Sequence, residues 1–536
     1  MQPVPSISSF LRVQAVVVAL VSTLLTAQLS AATTYIGRIE IQNLDIYSPE
    51  EATRGWLYRT ANILHVQTRA GLIRRFLLFR EGDVYDPFLL EESERNLRQL
   101  PFLRRVSITA APPQDSIVDV EIITQDSWTT EPTGAYRYSG GTATYDLEIK
   151  EKNLFGTGRA LALRYARETE RIVRSLSYGD PCLFGPYWGA RMSLARNTDG
   201  HEYKAEIERP FFSLLTRWQA RLAGLDLRRS ETIYREGEID ARYRRDHWGF
   251  ETECGVALTT SPSRAQRLLL GSVLWNDEFG HDTDRPDDIL PENQDFRFLT
   301  LGYESAGSSF LKVNYVNRGI RFEDFNLARR LIARFGVSPR ALGPSRTTLL
   351  LQLGVEQGVA LGTGRFVQMV LAYQTRWDRS PQNEVLSAEG RLVYKHGSWG
   401  PQTSIARVRY DQAWRPDRDW QLVADGDNGL RGYHLHSYAG DRRLIANFEH
   451  RLFSRTELLQ VVSPGAAIFA DIGTAVSPGI PMRRARVGAD MGAGLRLGLS
   501  RAATHDIIRL DFAWALNRDP LGRRGLLISF ATGQAF

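Results

Sequence analysis

The chain has 536 residues, of which 43% are hydrophobic and 24% charged, and its formal net charge is +6. These values exclude a disordered chain and a bundle of membrane helices, and the length allows about three or four ordinary domains, or one small and one large domain. The two cysteines, Cys182 and Cys254, are too few for a disulfide framework, and each is predicted to be a small apolar filler.

The N-terminal segment has the order of a secretory signal. Val13–Leu29 is the one long apolar stretch of the sequence, Arg12 precedes it, and small residues follow it. This order predicts a signal peptide over residues 1–32 that is removed after about Ala32. An uncleaved N-terminal anchor is the alternative interpretation.

Residues 33–127 predict a small α/β domain. Apolar and polar residues alternate in a first strand, and two amphipathic helices follow, the second starting where Asp86 supplies an N-cap and Pro87 suits the first turn. Two further strands complete a β-α-α-β-β order. The predicted elements are strands 35–46, 103–110 and 117–123 and helices 68–79 and 86–100. The segment 47–65 has no place in this order.

From residue 128 to residue 536, apolar residues alternate with charged residues at period two. Tyr145, Leu147 and Ile149, for example, share one face of a strand, and three charged residues share the other. Charge of both signs and small residues fill the polar faces, which is typical of a closed membrane barrel with a polar lumen rather than a soluble sandwich. The 406 residues from residue 131 onward predict about 16 antiparallel strands at about 25 residues each.

The sequence ends on an aromatic residue that follows a candidate strand. Leu526–Phe530 precedes Phe536, and Phe530 and Phe536 have the same parity. A terminal aromatic residue on a lipid-facing strand has the form of an outer-membrane assembly signal. Both phenylalanines are therefore candidates for such a signal.

Two motifs predict an ion pair inside the barrel. In Gly429-Leu430-Arg431-Gly432-Tyr433, glycines let the backbone turn tightly around an arginine that can fork onto carboxylates. In Phe469-Ala470-Asp471-Ile472-Gly473, one carboxylate lies among the apolar and small residues of a strand. Because a carboxylate facing lipid is costly, Asp471 is predicted to face the lumen and to find a cation there.

With these motifs, the sequence resembles the superfamily of outer-membrane assembly and translocation barrels with POTRA domains, which includes the BamA, TamA, two-partner-secretion translocator and bacterial surface antigen proteins. Leu430-Arg431-Gly432-Tyr433 looks like the family's loop motif, and Phe469–Gly473 matches its FxDxG strand. The further likenesses are Phe79–Asp83 in the POTRA part and Asn153–Gly158, Asp180-Pro181, Phe184-Gly185 and Arg209-Pro210-Phe211 in the barrel.

The resemblance implies a fold, a location and residue roles. One POTRA domain at 33–127 would lie in the periplasm, and a barrel at 128–536 would span the bacterial outer membrane. Arg431 would lie at the tip of an extracellular loop that folds into the lumen. It would pair with Asp471 there, and Glu449 would be a second partner.

The resemblance also implies a function without bond chemistry, so that the protein would be no enzyme and would need no cofactor. POTRA strands would receive an extended client segment by strand addition, and a weak seam between the first and last barrel strands, about 128–138 and 526–533, would open to pass it. The implied partners are unfolded outer-membrane or secreted client proteins, outer-membrane lipid and lipopolysaccharide, and periplasmic chaperones or accessory lipoproteins.

Other function classes are weighed against this one. A two-partner-type secretion translocator and a passive porin-like channel stay open as alternatives. The sequence has no G-x-S-x-G, H-E-x-x-H or Walker-type motif, which disfavours a hydrolase. The spacing of His434 and His436 would allow a metal, but ordinary loop histidines are the favoured interpretation. No basic stretch with interleaved aromatics supports nucleic acid as a partner, and the basic charge suits lipopolysaccharide.

Overall fold

The computed structural model describes residues 33–139, 142–397, 400–502 and 507–536. The predicted signal peptide, residues 1–32, lies outside the described residues. Within the four described ranges, no helix has the length and apolarity needed to cross a membrane. These ranges form a small α/β domain and a large closed barrel that contact each other.

The small domain is a three-stranded sheet with four helices. Its elements are β1 (Tyr35–Leu44), α1 (Pro49–Ala52), α2 (Trp56–Leu64), α3 (Ala70–Arg75), α4 (Pro87–Gln99), β2 (Leu103–Ala110) and β3 (Ile117–Asp126). β3 lies in the centre, parallel to β1 and antiparallel to β2, so β1 and β2 are the edge strands. Ile73, Leu97 and Ile122 are fully buried in its apolar core.

Both predicted helices of this domain are present, as α3 and α4. The Asp86 carboxylate caps α4 by accepting the N–H of Phe88 at 2.9 Å. α3 is shorter than the predicted helix, because the chain leaves the helical conformation at Phe76. α1 and α2 lie in the segment 47–65, where Ser48 and Glu51 form a capping box that starts α1.

Twenty antiparallel strands close into the barrel, so the predicted count of about 16 is wrong. The strands are β4 (Thr130–Ser139), β5 (Thr142–Leu154), β6 (Arg159–Arg167), β7 (Ile172–Asp180), β8 (Gly189–Asn197), β9 (Gly200–Arg209), β10 (Trp218–Arg235), β11 (Glu238–Thr260), β12 (Arg264–His281), β13 (Gln294–Gly307), β16 (Arg330–Ser338), β17 (Thr348–Gly362), β18 (Arg365–Trp377), β19 (Pro381–His396), β20 (Gln402–Trp414), β23 (Arg442–Phe453), β24 (Val462–Val476), β25 (Gly488–Leu499), β26 (Ile507–Ala515) and β27 (Leu526–Thr532). Separate two-stranded sheets are formed by β14 (Phe310–Asn314) with β15 (Phe322–Asn326) and by β21 (Leu422–Ala424) with β22 (Tyr438–Gly440). The count exceeds the prediction because many turns are very short, such as Glu236-Gly237 between β10 and β11.

The outer face of the barrel is apolar and its lumen is charged. Leu147 and Ile149 of β5 are 56% and 52% exposed. Asp146, which precedes Leu147 and lies on the opposite face, accepts the Arg164 Nε of β6 at 2.9 Å. The predicted alternation is therefore confirmed, and the fold is that of an outer-membrane barrel.

The small domain packs against one end of the barrel, here called the proximal end; the opposite end is the distal end. At the β5–β6 turn, the N–H of Arg69 donates to the carbonyl of Gly156 at 3.0 Å, and Asn153 Nδ2 donates to Thr68 Oγ1 at 2.8 Å. Gly156 has a φ of +70°, and a Cβ there would lie 2.2 Å from the carbonyl oxygen of Gln67. The close approach of the two parts therefore requires glycine.

Both cysteines are free. Cys182, in the turn between β7 and β8, is buried in the core of the small domain, where burial raises the pKa of its thiol. Cys254 is exposed on β11. Cys182 is therefore the apolar filler that its residue type predicts, whereas Cys254 is not.

Candidate functional site in the barrel lumen

The long connection between β20 and β23, residues 415–441, folds into the lumen from the distal end and is called the distal loop. Leu430 and Tyr433 of this loop are buried against Ile445 of β23. Asp425 holds the loop together, since its carboxylate accepts the N–H of Asn428 at 3.0 Å and that of His436 at 2.7 Å. The loop is thus a folded element with its own internal hydrogen bonds.

Two glycines bring the distal loop against the barrel wall. Gly429 has a φ of +102°, and a Cβ there would lie 3.0 Å from Ile445 Cγ2. A Cβ at Gly432 would lie 2.6 Å from the Cβ of Asp490 on β25. Side chains at either position would push the loop, and the arginine between them, away from the wall.

Arg431 lies at the tip of the distal loop and is 7% exposed. Its Nε and Nη2 donate to the two carboxylate oxygens of Asp471 on β24 at 2.8 and 2.9 Å, and its Nη1 donates to Glu449 on β23. The guanidinium carbon also lies 3.5 Å from the ring centroid of Phe469. Two carboxylates and an aromatic face therefore surround this buried charge, which a single carboxylate could not satisfy.

Glu449 connects Arg431 to two further arginines. Its carboxylate accepts Arg451 Nε at 2.8 Å and lies 3.5 Å from Arg496 Nη2. Arg496 Nη1 in turn donates to Asp511 of β26 at 2.6 Å. The group of three arginines and three carboxylates is called the lumenal cluster: Arg431, Arg451, Arg496, Glu449, Asp471 and Asp511.

The remaining residues of the two motifs support this geometry. Asn447 Nδ2 donates both to Asp471 Oδ1 at 2.8 Å and to the carbonyl of Gly429 at 2.7 Å, which ties the strand, the loop and the carboxylate together. A Cβ at Gly473 would lie 2.7 Å from the carbonyl oxygen of Leu444 on the neighbouring strand. The small residue at the end of the second motif therefore permits close strand packing beside the cluster.

A second element enters the lumen from the proximal end. The hairpin β14–β15, residues 310–326, is called the proximal hairpin, and Val316 near its tip is fully buried with Val393 and Ile405. Arg451 Nη1 donates to the carbonyl of Val316 at 2.9 Å. The lumenal cluster therefore contacts both the distal loop, through Arg431, and the proximal hairpin, through Arg451.

The proximal hairpin is also bound to the small domain. Arg98 of α4 forms a bidentate pair with Asp324, with N–O distances of 3.0 and 3.1 Å. The guanidinium of Arg95 lies 3.9 Å from the ring centroid of Phe310. Contacts thus run without a gap from the small domain through the hairpin to Arg451, Glu449 and Arg431.

The C-terminal residues leave the barrel wall after β27. Gly533 has a φ of +85°, and beyond it the chain turns into the lumen. The carbonyl of Phe536 accepts Arg451 Nη2 at 3.0 Å, and its ring centroid lies 5.6 Å from the guanidinium carbon of Arg431. The predicted common face of Phe530 and Phe536 is therefore wrong, since Phe530 remains on β27, and an assembly signal at either residue stays a prediction.

The seam between the last and first barrel strands is short. β27 pairs with β4 over three residue pairs, Ile528 with Tyr138, Ser529 with Arg137 and Phe530 with Tyr136. β26 and β27, the next shortest pairing in the described barrel, share seven residue pairs. The proximal half of β4 lies beyond this pairing, because the partner chain turns inward at Gly533.

The chain is similar in part to known proteins. No family model matches the chain. A segment of 129 residues is 30% identical to the outer membrane protein assembly factor BamA of Neisseria meningitidis serogroup B, and it amounts to 22% of this chain and 16% of the length of that relative. The predicted resemblance to the BamA group is confirmed.

Several solved structures align with most of the chain. BamA from Haemophilus ducreyi lacking POTRA domains 1–3 covers 93% of this chain and 84% of its own, at 14% identity and a TM-score of 0.38. The match to CdiB from Acinetobacter baumannii covers 94% of this chain and 74% of that chain, at 13% identity and a TM-score of 0.47. The match to CdiB from Escherichia coli covers 93% of this chain and 76% of that chain, at 13% identity and a TM-score of 0.46.

Several buried residues of the lumen lie outside the two sequence motifs. Asp490 lies directly opposite Asp471 in the β24–β25 register and is buried. Arg451 and Arg496 are among the largest fully buried side chains of the described chain. Their inward parity on predicted strands is the one feature that could have found them. His436, by contrast, stacks on Tyr234 with ring centroids 3.8 Å apart, as an ordinary packed loop residue does.

Proposed function

We propose that this protein is an outer-membrane assembly or translocation factor that passes client polypeptides through the seam between β27 and β4. The observation that carries the proposal is the seam itself, in which the described pairing covers three residues. Parting it breaks few hydrogen bonds and exposes strand edges that an incoming strand can pair with. No bond chemistry is needed, so the proposed role is that of a non-enzymatic factor without a cofactor.

The small domain is proposed to be a POTRA domain that receives the client in the periplasm. Its sheet leaves the edge of β2 available for strand addition, whereas residues 82–85 pair with the start of β1. The motif 79–83 shapes one end of this domain, since Glu81 accepts the N–H of Ile39 at 3.1 Å and Asp83 accepts that of Arg80 at 2.7 Å. In this proposal the proximal end of the barrel faces the periplasm and the distal end faces the cell exterior.

The lumenal cluster is proposed to keep the lumen closed while the seam works. Arg431 holds the distal loop and Arg451 holds the proximal hairpin, and both bind Glu449. Because the small domain binds the same hairpin through Arg98 and Asp324, client contact at the small domain has a direct route to the cluster. Unfolded outer-membrane or secreted proteins are the proposed clients, and lipopolysaccharide, chaperones and accessory lipoproteins remain predictions.

A reversible lock on the seam tests the proposal. Tyr136→Cys with Phe530→Cys places two thiols opposite each other in the β27–β4 register, within reach of a disulfide, in a Cys254→Ser background. The matched control is Phe512→Cys with Ile528→Cys, which bridges β26 and β27 and leaves the seam free. Cells that carry each variant as the sole copy are grown with and without reductant.

The expected result is a loss of client proteins from the outer membrane or the secreted fraction in the oxidised seam variant, with recovery after reduction. The control bridge should leave both fractions unchanged. Depletion of the outer-membrane fraction indicates insertion, and depletion of the secreted fraction indicates translocation. Unchanged fractions with the seam fully bridged would contradict the proposal.

A further inference from the structure

Helix α2 presents its apolar face outward instead of toward the domain that carries it. Trp56, Leu57, Ile63 and Leu64 are 73%, 55%, 74% and 68% exposed. These four residues fall on one side of the helix, because positions three, four, seven and eight apart share a face. A contiguous apolar face of this kind on a folded domain marks an interaction surface rather than ordinary surface scatter.

The segments before and after α2 contact turns at the proximal end of the barrel. Before the helix, Glu51 binds Arg501 in the turn between β25 and β26 at 2.7 Å, and the guanidinium of Arg501 lies 4.9 Å from the ring centroid of Tyr47. After the helix, His65 Nε2 contacts Asp126 at 2.8 Å, and Arg69 binds the turn between β5 and β6. The segment that carries α2 is therefore held at the proximal end of the barrel.

Exposed apolar side chains also lie in turns at the same end of the barrel. Leu459 lies in the turn between β23 and β24, Phe155 in the turn between β5 and β6, and Phe184 in the turn between β7 and β8; each is well exposed. Proximal turns lie where barrel strands leave the hydrocarbon region, so apolar residues there meet the lipid interface. Arg54 and Arg59, both exposed, add positive charge beside the apolar face of α2.

We propose that α2 lies in the proximal leaflet of the membrane, with its apolar face among the acyl chains and Arg54 and Arg59 at anionic lipid headgroups. A tryptophan and aliphatic face with flanking basic residues is the composition of an interfacial helix. This surface holds whether or not the protein handles clients, so its test is independent of the proposed function.

Lipid-attached quenchers test the placement on the full chain. Ile63→Cys in a Cys254→Ser background is labelled with bimane and reconstituted into vesicles of phosphatidylethanolamine and phosphatidylglycerol that carry a nitroxide near the headgroup end of the acyl chain. The matched control is Ile117→Cys, an exposed apolar position on the same domain. It starts β3, about 30 Å along the strand from the barrel junction.

The expected result is strong nitroxide quenching and a blue-shifted emission for the Ile63 probe, with neither change for the Ile117 probe. Trp56→Cys provides a second position on the same face, and heat-modifiable migration shows that each labelled barrel is folded. Equal quenching of the two probes would overturn the proposal. A probe at Ile63 that is shielded from aqueous iodide but unaffected by the nitroxide would also overturn it, because a protein segment would then cover the helix.

Discussion

Two neighbouring parts of the barrel wall are built in opposite ways. Strands β23–β26 pair along most of their length and carry the lumenal cluster on their inner face. The seam between β27 and β4 is paired over three residues in the described chain. The lumenal cluster stabilises β23–β26, and the seam has few hydrogen bonds. The barrel can therefore open at the seam while the rest of the wall keeps its shape.

The two elements inside the lumen and the small domain are also attached to the barrel in different ways. The distal loop and the proximal hairpin are anchored on the cluster by buried charges, whereas the small domain contacts proximal turns of the barrel through Glu51 and Arg69. Buried ion pairs fix the positions of the elements that they join, because removing one partner leaves the other charge unpaired in a low-dielectric site.

Arg431→Ala has the largest expected effect, since it breaks the tied wall. Asp471 and Glu449 would each lose a buried partner, at a cost of about 3–5 kcal/mol. The stability of Arg431→Lys should lie between that of Arg431→Ala and that of the unaltered protein, because an ammonium cannot fork onto both carboxylates. The temperature at which the compact, heat-modifiable form is lost measures the effect.

Arg418→Ala is the matched control for this variant, since Arg418 is an exposed arginine of the same distal loop. It should leave the transition temperature unchanged. Equal stability of the Arg431 and Arg418 variants would show that the cluster does not hold the wall.

A double-mutant cycle on Arg431 and Arg451 sharpens the comparison further. Both arginines bind Glu449, so the second substitution removes a partner that the first has already left incomplete. The double variant should be destabilised by less than the sum of the single variants, with a coupling of about 0.5–3 kcal/mol. Additive losses in the free energy of unfolding, measured by denaturant titration, would mean that the cluster does not act as a unit.

Amide hydrogen exchange compares the two regions directly in the unaltered protein. Amides in β27 and in the proximal half of β4 should exchange faster than those of β23 and β24, because local opening requires the loss of fewer hydrogen bonds. Mass spectrometry of peptides from the protein in detergent or nanodiscs measures this order. Equal protection in both regions would remove the basis for a seam that opens.

The smallest expected effect is a pH dependence at the contact between α1 and the barrel. Burial raises the pKa of the Glu51 carboxyl, but hydrogen bonds from Arg501 and from the N–H of Ser48 outweigh it and hold the pKa below its ordinary range. A lowered folded-state pKa stabilises the contact above the unfolded-state pKa of about 4.3, and this contribution is lost as the pH falls through the lower folded-state value.

Exchange at α1 and α2 should therefore increase in acid, between about pH 4.3 and the lower folded-state pKa of Glu51. Glu51→Gln should show the faster exchange already at neutral pH and a flatter response. Glu457, which lies 3.9 Å from Arg501, remains in that variant as a weaker partner. An unchanged pH response in Glu51→Gln would assign the effect to another group.

The candidate site was predictable in part because its chemistry is carried by unusual residues. An arginine between glycines and a carboxylate on an apolar strand predict a buried ion pair, and the structure brings Arg431 and Asp471 together. The proximal hairpin was not predictable, because residues 310–326 alternate like any pair of wall strands. Its place in the lumen depends on Arg451 and on the apolar residues that surround Val316, which lie far away in sequence.

The errors have similar causes. The count of 16 strands assumed longer connections than the chain uses, and only the hydrogen-bonded register decides where a strand ends. The shared parity of Phe530 and Phe536 assumed that the strand continues. The positive φ of Gly533 ends it, and a glycine by itself does not say in which direction the chain will turn.

The sequence by itself determined that a small α/β domain precedes a large membrane barrel, and which side chains face lipid and which face the lumen. Successive side chains of a strand point to opposite faces, so a period of two is a local signal that survives without any partner. The tertiary structure alone decided the number of strands, the contents of the lumen, the short seam and the outward face of α2. Closure and pairing join residues hundreds of positions apart, and no local pattern contains that information.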